Sequence, residues 1–99
     1  MKKKSKPYSA PQAGTHFPLR NVCGTWVSLC GSPGVKIFHD GSRFRLQLSY
    51  KDNTKFTVLL CRSRGIAFFH FYGIIRITYD DEYDLLILTN EGEYKRVYE

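Results

Sequence analysis

The chain has 99 residues, with 15 Lys and Arg against 9 Asp and Glu, a formal net charge of +6. Apolar residues make up 42% and aromatic residues 15%, enough for one packed core and too many for a wholly disordered chain. The length excludes a two-domain enzyme or a repeat array, and no run approaches the roughly 20 apolar residues that a membrane-spanning helix requires.

Residues 1–20 hold Lys2, Lys3, Lys4, Lys6 and Arg20 and no acid, so they carry +5 and leave +1 for residues 21–99. They also hold Pro7, Pro11 and Pro18, three of the four prolines. Such a composition buries too little surface to offset ordering entropy. It predicts a flexible basic arm over residues 1–18, with the boundary drawn at 1–20 for the arm and 21–99 for a single domain. The lysines run into Pro7-Tyr8-Ser9-Ala10-Pro11 instead of the apolar stretch of a secretory leader, so the expected location is cytoplasmic, without a membrane span. Lys2, Lys3, Lys4 and Lys6 are candidate contacts for nucleic acid or another anion; a solvated charged terminus is the plainer alternative.

From residue 22 onward the apolar pattern has period two, broken by turn residues. Residues 22–30 are rich in strand formers, and Gly31-Ser32-Pro33-Gly34 ends them. Residues 35–39 form a second run, closed by the hairpin signal Asp40-Gly41. Next, Phe44, Leu46, Leu48 and Tyr50 take one face, and Arg43, Arg45, Gln47 and Ser49 the other. Residues 51–54 turn the chain, Phe56, Val58 and Leu60 alternate with polar neighbours, and residues 62–65 turn it again. Residues 66–79 predict two strands or one bent strand with Gly73 as hinge. A polar turn at 80–84, a strand at 85–89 buried on both faces or nearly so, a turn at 90–92 and a closing strand at 93–98 complete the series.

The sum is an all-β chain, an antiparallel meander of seven or eight short strands. Strands this apolar leave sticky edges in an open sheet, which favours closure as a small barrel. The expected inward set is Trp26, Phe44, Leu46, Leu48, Phe56, Val58, Leu60, Phe68, Ile75, Ile77, Leu86 and Leu88. A barrel of about eight strands is just filled by such side chains.

Gly24-Thr25-Trp26 heads the strand series and resembles the G-x-W signature of lipocalin-like barrels. The resemblance implies an up-and-down barrel in which Trp26, near the start of the first strand, plugs one end. The chain differs from the secreted members in length, leader and disulfide arrangement, which argues against a large ligand cavity. Over most of its length the chain also resembles small uncharacterised proteins of Bacteroides conjugative transposons, through Gly24, Trp26, Asp40 and Gly41. That resemblance implies a mobile-element context and no chemistry.

Candidate chemistry is sparse. Arg64 to Phe71 match five of the seven specified positions of the RNA-recognition consensus, but Ile66 replaces its first stacking aromatic and the two helices of that module are missing. Arg43, Arg45 and Arg62 form a candidate cationic patch, brought together if residues 43–50 and 55–62 make a hairpin. Tyr72 and Tyr79 are candidate stacking surfaces for a single strand. Cys23, Cys30 and Cys61 match no zinc spacing and read as buried free thiols, with a Cys30–Cys61 pair as the alternative. His16, His39 and His70 have no ligand spacing, Cys61 and His70 lack an orienting third group, and the 80–84 loop lacks the spacing of a calcium loop. The expectation is a non-enzymatic binding or accessory module, without metal or cofactor. Its partner is another protein or a weakly bound nucleic acid; a dimer is a further option. The rival reading is a small carrier of an apolar ligand in the barrel interior.

Overall fold

The computed structural model describes residues 16–98. A 3₁₀ turn at Leu19–Val22 leads into nine strands: β1 Gly24–Ser28, β2 Gly34–Asp40, β3 Arg43–Ser49, β4 Lys55–Leu59, β5 Cys61–Ser63, β6 Ile66–His70, β7 Ile74–Asp80, β8 Leu85–Leu88 and β9 Gly92–Val97. All pairings are antiparallel, in one sheet of order β4-β3-β2-β1-β9-β8-β7-β6-β5. The first and last strands therefore lie side by side, with Trp26 opposite Arg96.

The two ends of that sheet are one continuous piece of chain. Only Leu60 separates β4 from β5. The Leu60 amide still donates to the Phe44 carbonyl at 2.9 Å, and the next residue, Cys61, already pairs with Phe68 on the other side. One strand thus begins against β3 and ends against β6, and the sheet closes almost completely into a barrel. Counted as one broken strand, β4–β5 gives eight strands, within the seven or eight expected from the sequence.

Alternation places the core. Trp26, Ile37, Leu46, Phe69, Ile77, Leu86, Leu88 and Tyr94 are fully buried, with Val35, Leu48, Leu60, Ala67 and Ile75 around them. These side chains fill the barrel axis, and Tyr94 satisfies its buried hydroxyl by donating to the Pro33 carbonyl at 2.8 Å.

Four expectations change. Phe68 faces outward and is half-buried, while Ala67 and Phe69 point in. The turn at 64–65 pairs Ser63 with Ile66, which sets this parity. Phe56 reaches the inner side only at the rim and is 42% exposed. Phe44 and Val58 are half-buried at the core margin, whereas β8 is nearly buried on both faces as expected, Leu86 and Leu88 fully and Leu85 and Ile87 in part. The thiols are not uniformly buried: Cys23 and Cys61 are half-buried, Cys30 is exposed, and all three are free, so Cys30 and Cys61 are not joined.

Of the arm expected over residues 1–18, residues 1–15 lie outside the described residues, and Phe17 packs on the barrel. Phe17 is 7% exposed, edge-on to Tyr79 at 5.9 Å, with the Arg62 guanidinium 5.3 Å from its ring centroid and bonded to its carbonyl. The single apolar ring in a polar stretch is what draws this segment onto the barrel. Phe17→Ala removes the buried ring against which Tyr79 and the Arg62 guanidinium pack, and is expected to cost about 3 kcal/mol in urea unfolding. A truncation that reaches residue 18 should cost at least as much.

Candidate functional site

The loops fall at two ends. Residues 41–42, 64–65 and 81–84 share one end with residues 16–23; residues 29–33, 50–54, 71–73 and 89–91 share the other.

The first end is sealed around Trp26, which is 1% exposed and donates its indole N–H to the Val22 carbonyl at 2.9 Å. Arg96 covers the ring, its guanidinium carbon 4.4 Å from the centroid, in a cation–π contact. The same guanidinium donates to the carbonyls of Cys23 at 2.7 Å and Asn21 at 2.8 Å. It also grips the Asp84 carboxylate through Nε at 2.9 Å and Nη2 at 3.0 Å. The hydroxyls of Tyr79 and Tyr98 donate to that carboxylate as well. Gly24 is required here: its φ is +141°, and a Cβ would lie 3.0 Å from Arg96 Nη1. Trp26 thus occupies the place expected of it, while Arg96 and Asp84 carried no signal in the sequence beyond being charged residues near a turn and a terminus.

Asp84 gives this end a titration. The Arg96 guanidinium holds its carboxyl well below the usual carboxylate range, at about 2, against partial burial and with help from Tyr98 and Tyr79. A carboxyl lowered in the folded state contributes stability above its unfolded value near 4 and loses it as pH falls toward 2. The contribution is roughly 2 kcal/mol. Acid unfolding followed by Trp26 emission should show this loss between about pH 4 and 2. Asp84→Asn should flatten that part of the profile.

The second end is an open mouth. A groove of about 750 Å³ lies between residues 31–34 on one side and Tyr50, Lys51, Asp52, Thr54 and Phe56 on the other. Its first wall is pinned by the turn before β9: Ser32 Oγ donates to the Glu91 carbonyl at 2.9 Å and Cys30 Sγ to the same oxygen at 3.1 Å. Gly92 permits this approach, since its Cβ would meet Cys30 Sγ at 2.6 Å. Its second wall is a tight turn, with Tyr50 N–H donating to the Thr54 carbonyl and Thr54 N–H to Asp52 Oδ1, both at 2.9 Å. Hydrogen bonds from the Thr54 side chain and amide lower the Asp52 pKa, and partial burial raises that of Tyr50.

Rings line the mouth beside the groove. Tyr50 meets Phe56 edge-on at 5.8 Å, Phe56 meets Phe71 at 5.5 Å, and Phe71 meets Tyr72 at 4.8 Å. Tyr72 is 96% exposed and holds a left-handed backbone, φ 57°, which is costly for a bulky residue.

The sequence-predicted contacts are dispersed. Lys2, Lys3, Lys4 and Lys6 lie outside the described residues. Arg43 and Arg45 share the outer face of β3, and Arg45 Nε bonds Asp40 Oδ2 at 2.6 Å. Arg62 does not join them. The β3–β4 register ends at Arg45 opposite Leu59, the chain crosses to β6, and Arg62 pairs with inward-facing Ala67. Asp80 Oδ1 accepts the amides of Glu82 and Tyr83, and Asp84 is held by Arg96, so these two acids of the loop are engaged in holding its structure. Among the described residues no three His, Cys, Asp or Glu converge as metal ligands, and no helix is long and apolar enough to cross a membrane.

The family described as "Domain of unknown function, B. Theta Gene description (DUF3876)" matches residues 12–96. The chain belongs to this family. No curated protein and no solved structure matches it.

Proposed function

We propose that this chain is a non-enzymatic binding module that takes its ligand at the open mouth of the barrel. The observation that carries the reading is the asymmetry of the two ends. One is closed by Trp26, Arg96 and Phe17; the other leaves Phe56 and Tyr72 uncovered beside a groove with hydrogen-bonded walls. Apolar area kept exposed at a concave, preformed place is the usual character of a small-ligand site. The barrel axis is filled by Phe69, Leu46, Ile77 and Tyr94, so an apolar guest sits in the mouth and not along the axis. This keeps the carrier reading in a reduced form, as a rim site for a small ligand with an aromatic or apolar face. An accessory role on a mobile element is the wider setting we propose, supported by the resemblance to conjugative-transposon proteins.

The probe is 1-anilinonaphthalene-8-sulfonate, titrated into the uniformly ¹⁵N-labelled protein. Saturable amide shifts confined to Gly31, Gly34, Tyr50, Thr54 and Phe56 are expected. Phe56→Ala should weaken the dye roughly tenfold, the scale of one buried aromatic contact, with little loss of stability because the ring is 42% exposed. Shifts at Leu46 and Phe69 would restore an interior site. Saturation unaffected by Phe56→Ala would move the site off the mouth.

A further inference from the structure

The near-neutral charge of residues 21–99 conceals a strong separation. Residues 34–79 carry eight Lys and Arg against two Asp, a net of +6, while residues 80–98 carry two against six, a net of −4. The first set covers β2 through Tyr79 of β7 and makes a basic wall, while the acids of the second gather at residues 80–84 and 91–93, before and after the uncharged β8. The pairing register shows what the basic wall presents. Phe38 lies opposite Arg45 and Arg45 opposite Leu59; beyond the break, Cys61 lies opposite Phe68 and Phe68 opposite Arg76. Paired residues share a face, so these side chains form one outward belt across consecutive strands. Lys36 and Lys55 stand on the same outer face, and Arg43 at its lower edge.

Lys36, Arg43, Lys55 and Arg76 are exposed, and among the described residues they make no ion pair. The acids on this wall are Asp40, engaged by Arg45, Asp52 in its turn, and Asp80 at the end of β7, which accepts the amides of Glu82 and Tyr83. Rings stand between the cations: Phe68 is half-buried with exposed His70 edge-on at 5.5 Å, and Phe38 is half-buried on β2.

We infer that this belt binds single-stranded nucleic acid, with phosphates on Lys36, Arg43, Lys55 and Arg76 and bases against Phe68 and His70. Unpaired cations interleaved with accessible rings are the combination that a flexible strand with open base faces uses. A duplex hides those faces, and this convex wall offers no helix or ribbon to enter a groove. An acidic protein would use the cations and leave the rings idle. The site is independent of the mouth and of the N-terminal lysines.

The test uses full-length protein and a fluorescein-labelled oligothymidylate, with anisotropy measured across a salt series. Each phosphate contact on a single strand contributes about −0.7 to the log–log salt slope, so R43Q/K55Q/R76Q should make the slope shallower by about 2. His70→Ala should weaken binding roughly tenfold with little change in slope, the signature of a lost stack. K2Q/K3Q/K4Q/K6Q should leave binding by the belt in place. Trp26 emission confirms that each variant is folded. The inference is overturned if the triple variant binds like the parent, if the lysine variant alone abolishes binding, or if no binding occurs at low salt. It is also overturned if a duplex or polyglutamate competes as well as the single strand.

Discussion

Arg96 holds the closed end of the barrel together. One guanidinium covers the Trp26 ring, satisfies the carbonyls of Asn21 and Cys23, and neutralises Asp84 from the β7–β8 turn. It therefore ties the last strand to the first, to the segment that enters the barrel and to the turn that leads into the neighbouring β8. Planar, bidentate donors suit this multiple duty, and a lysine at the same place would supply the charge without the fork. The sealed end frees the other one. Because Trp26 and Phe17 already fill the space beneath the barrel, the mouth can leave rings uncovered without emptying the core.

The meander was legible because alternation is a local property. Phe44, Leu46, Leu48 and Tyr50 share a face in the structure as they do in the sequence, and Asp40-Gly41 makes its turn. Trp26 was legible because Gly24 precedes it, and the reason is now visible: the glycine clears the path of Arg96. Arg96 itself was not legible, since its partners come from residues 21, 23, 26 and 84, and no local pattern joins them. Phe68 was misplaced by one position because two neighbouring phenylalanines fit either face, and only the turn at 64–65 decides between them. Phe17 was missed for a similar reason: its surroundings are polar, and the groups that bury it, Tyr79 and Arg62, lie far along the chain.

The candidate surfaces divide in the same way. The aromatic mouth gathers Tyr50, Phe56, Phe71 and Tyr72 from two hairpin ends, which sequence spacing does not bring together. The cationic patch built from Arg43, Arg45 and Arg62 loses Arg62 to the inner side of β5, where it grips Phe17. The charge that does gather is spread over the six strand segments from β2 to β7 and their turns, and it becomes a surface only when the sheet curves. Net charge over residues 21–99 averages it away. A small barrel can thus present three distinct chemistries on one core: a sealed end, an aromatic rim and a basic wall.

The break at Leu60 has its own consequence, for self-association. The amides of Tyr50 and Leu60 bond to Thr54 and Phe44, which directs the even-numbered amides of β4 toward β3. The odd-numbered ones, at Lys55, Thr57 and Leu59, point at the gap beside the 71–73 turn, where pairing with β6 has stopped. A nearly closed barrel thereby keeps one short stretch of open edge, the kind of template on which a neighbouring chain adds a strand. The edge is brief, it is bent away at Leu60, and its first residue is a lysine, so a like copy approaching in parallel register meets its own charge. A gatekeeper cation and a kink that spoils the template thus oppose the addition of a strand at this edge.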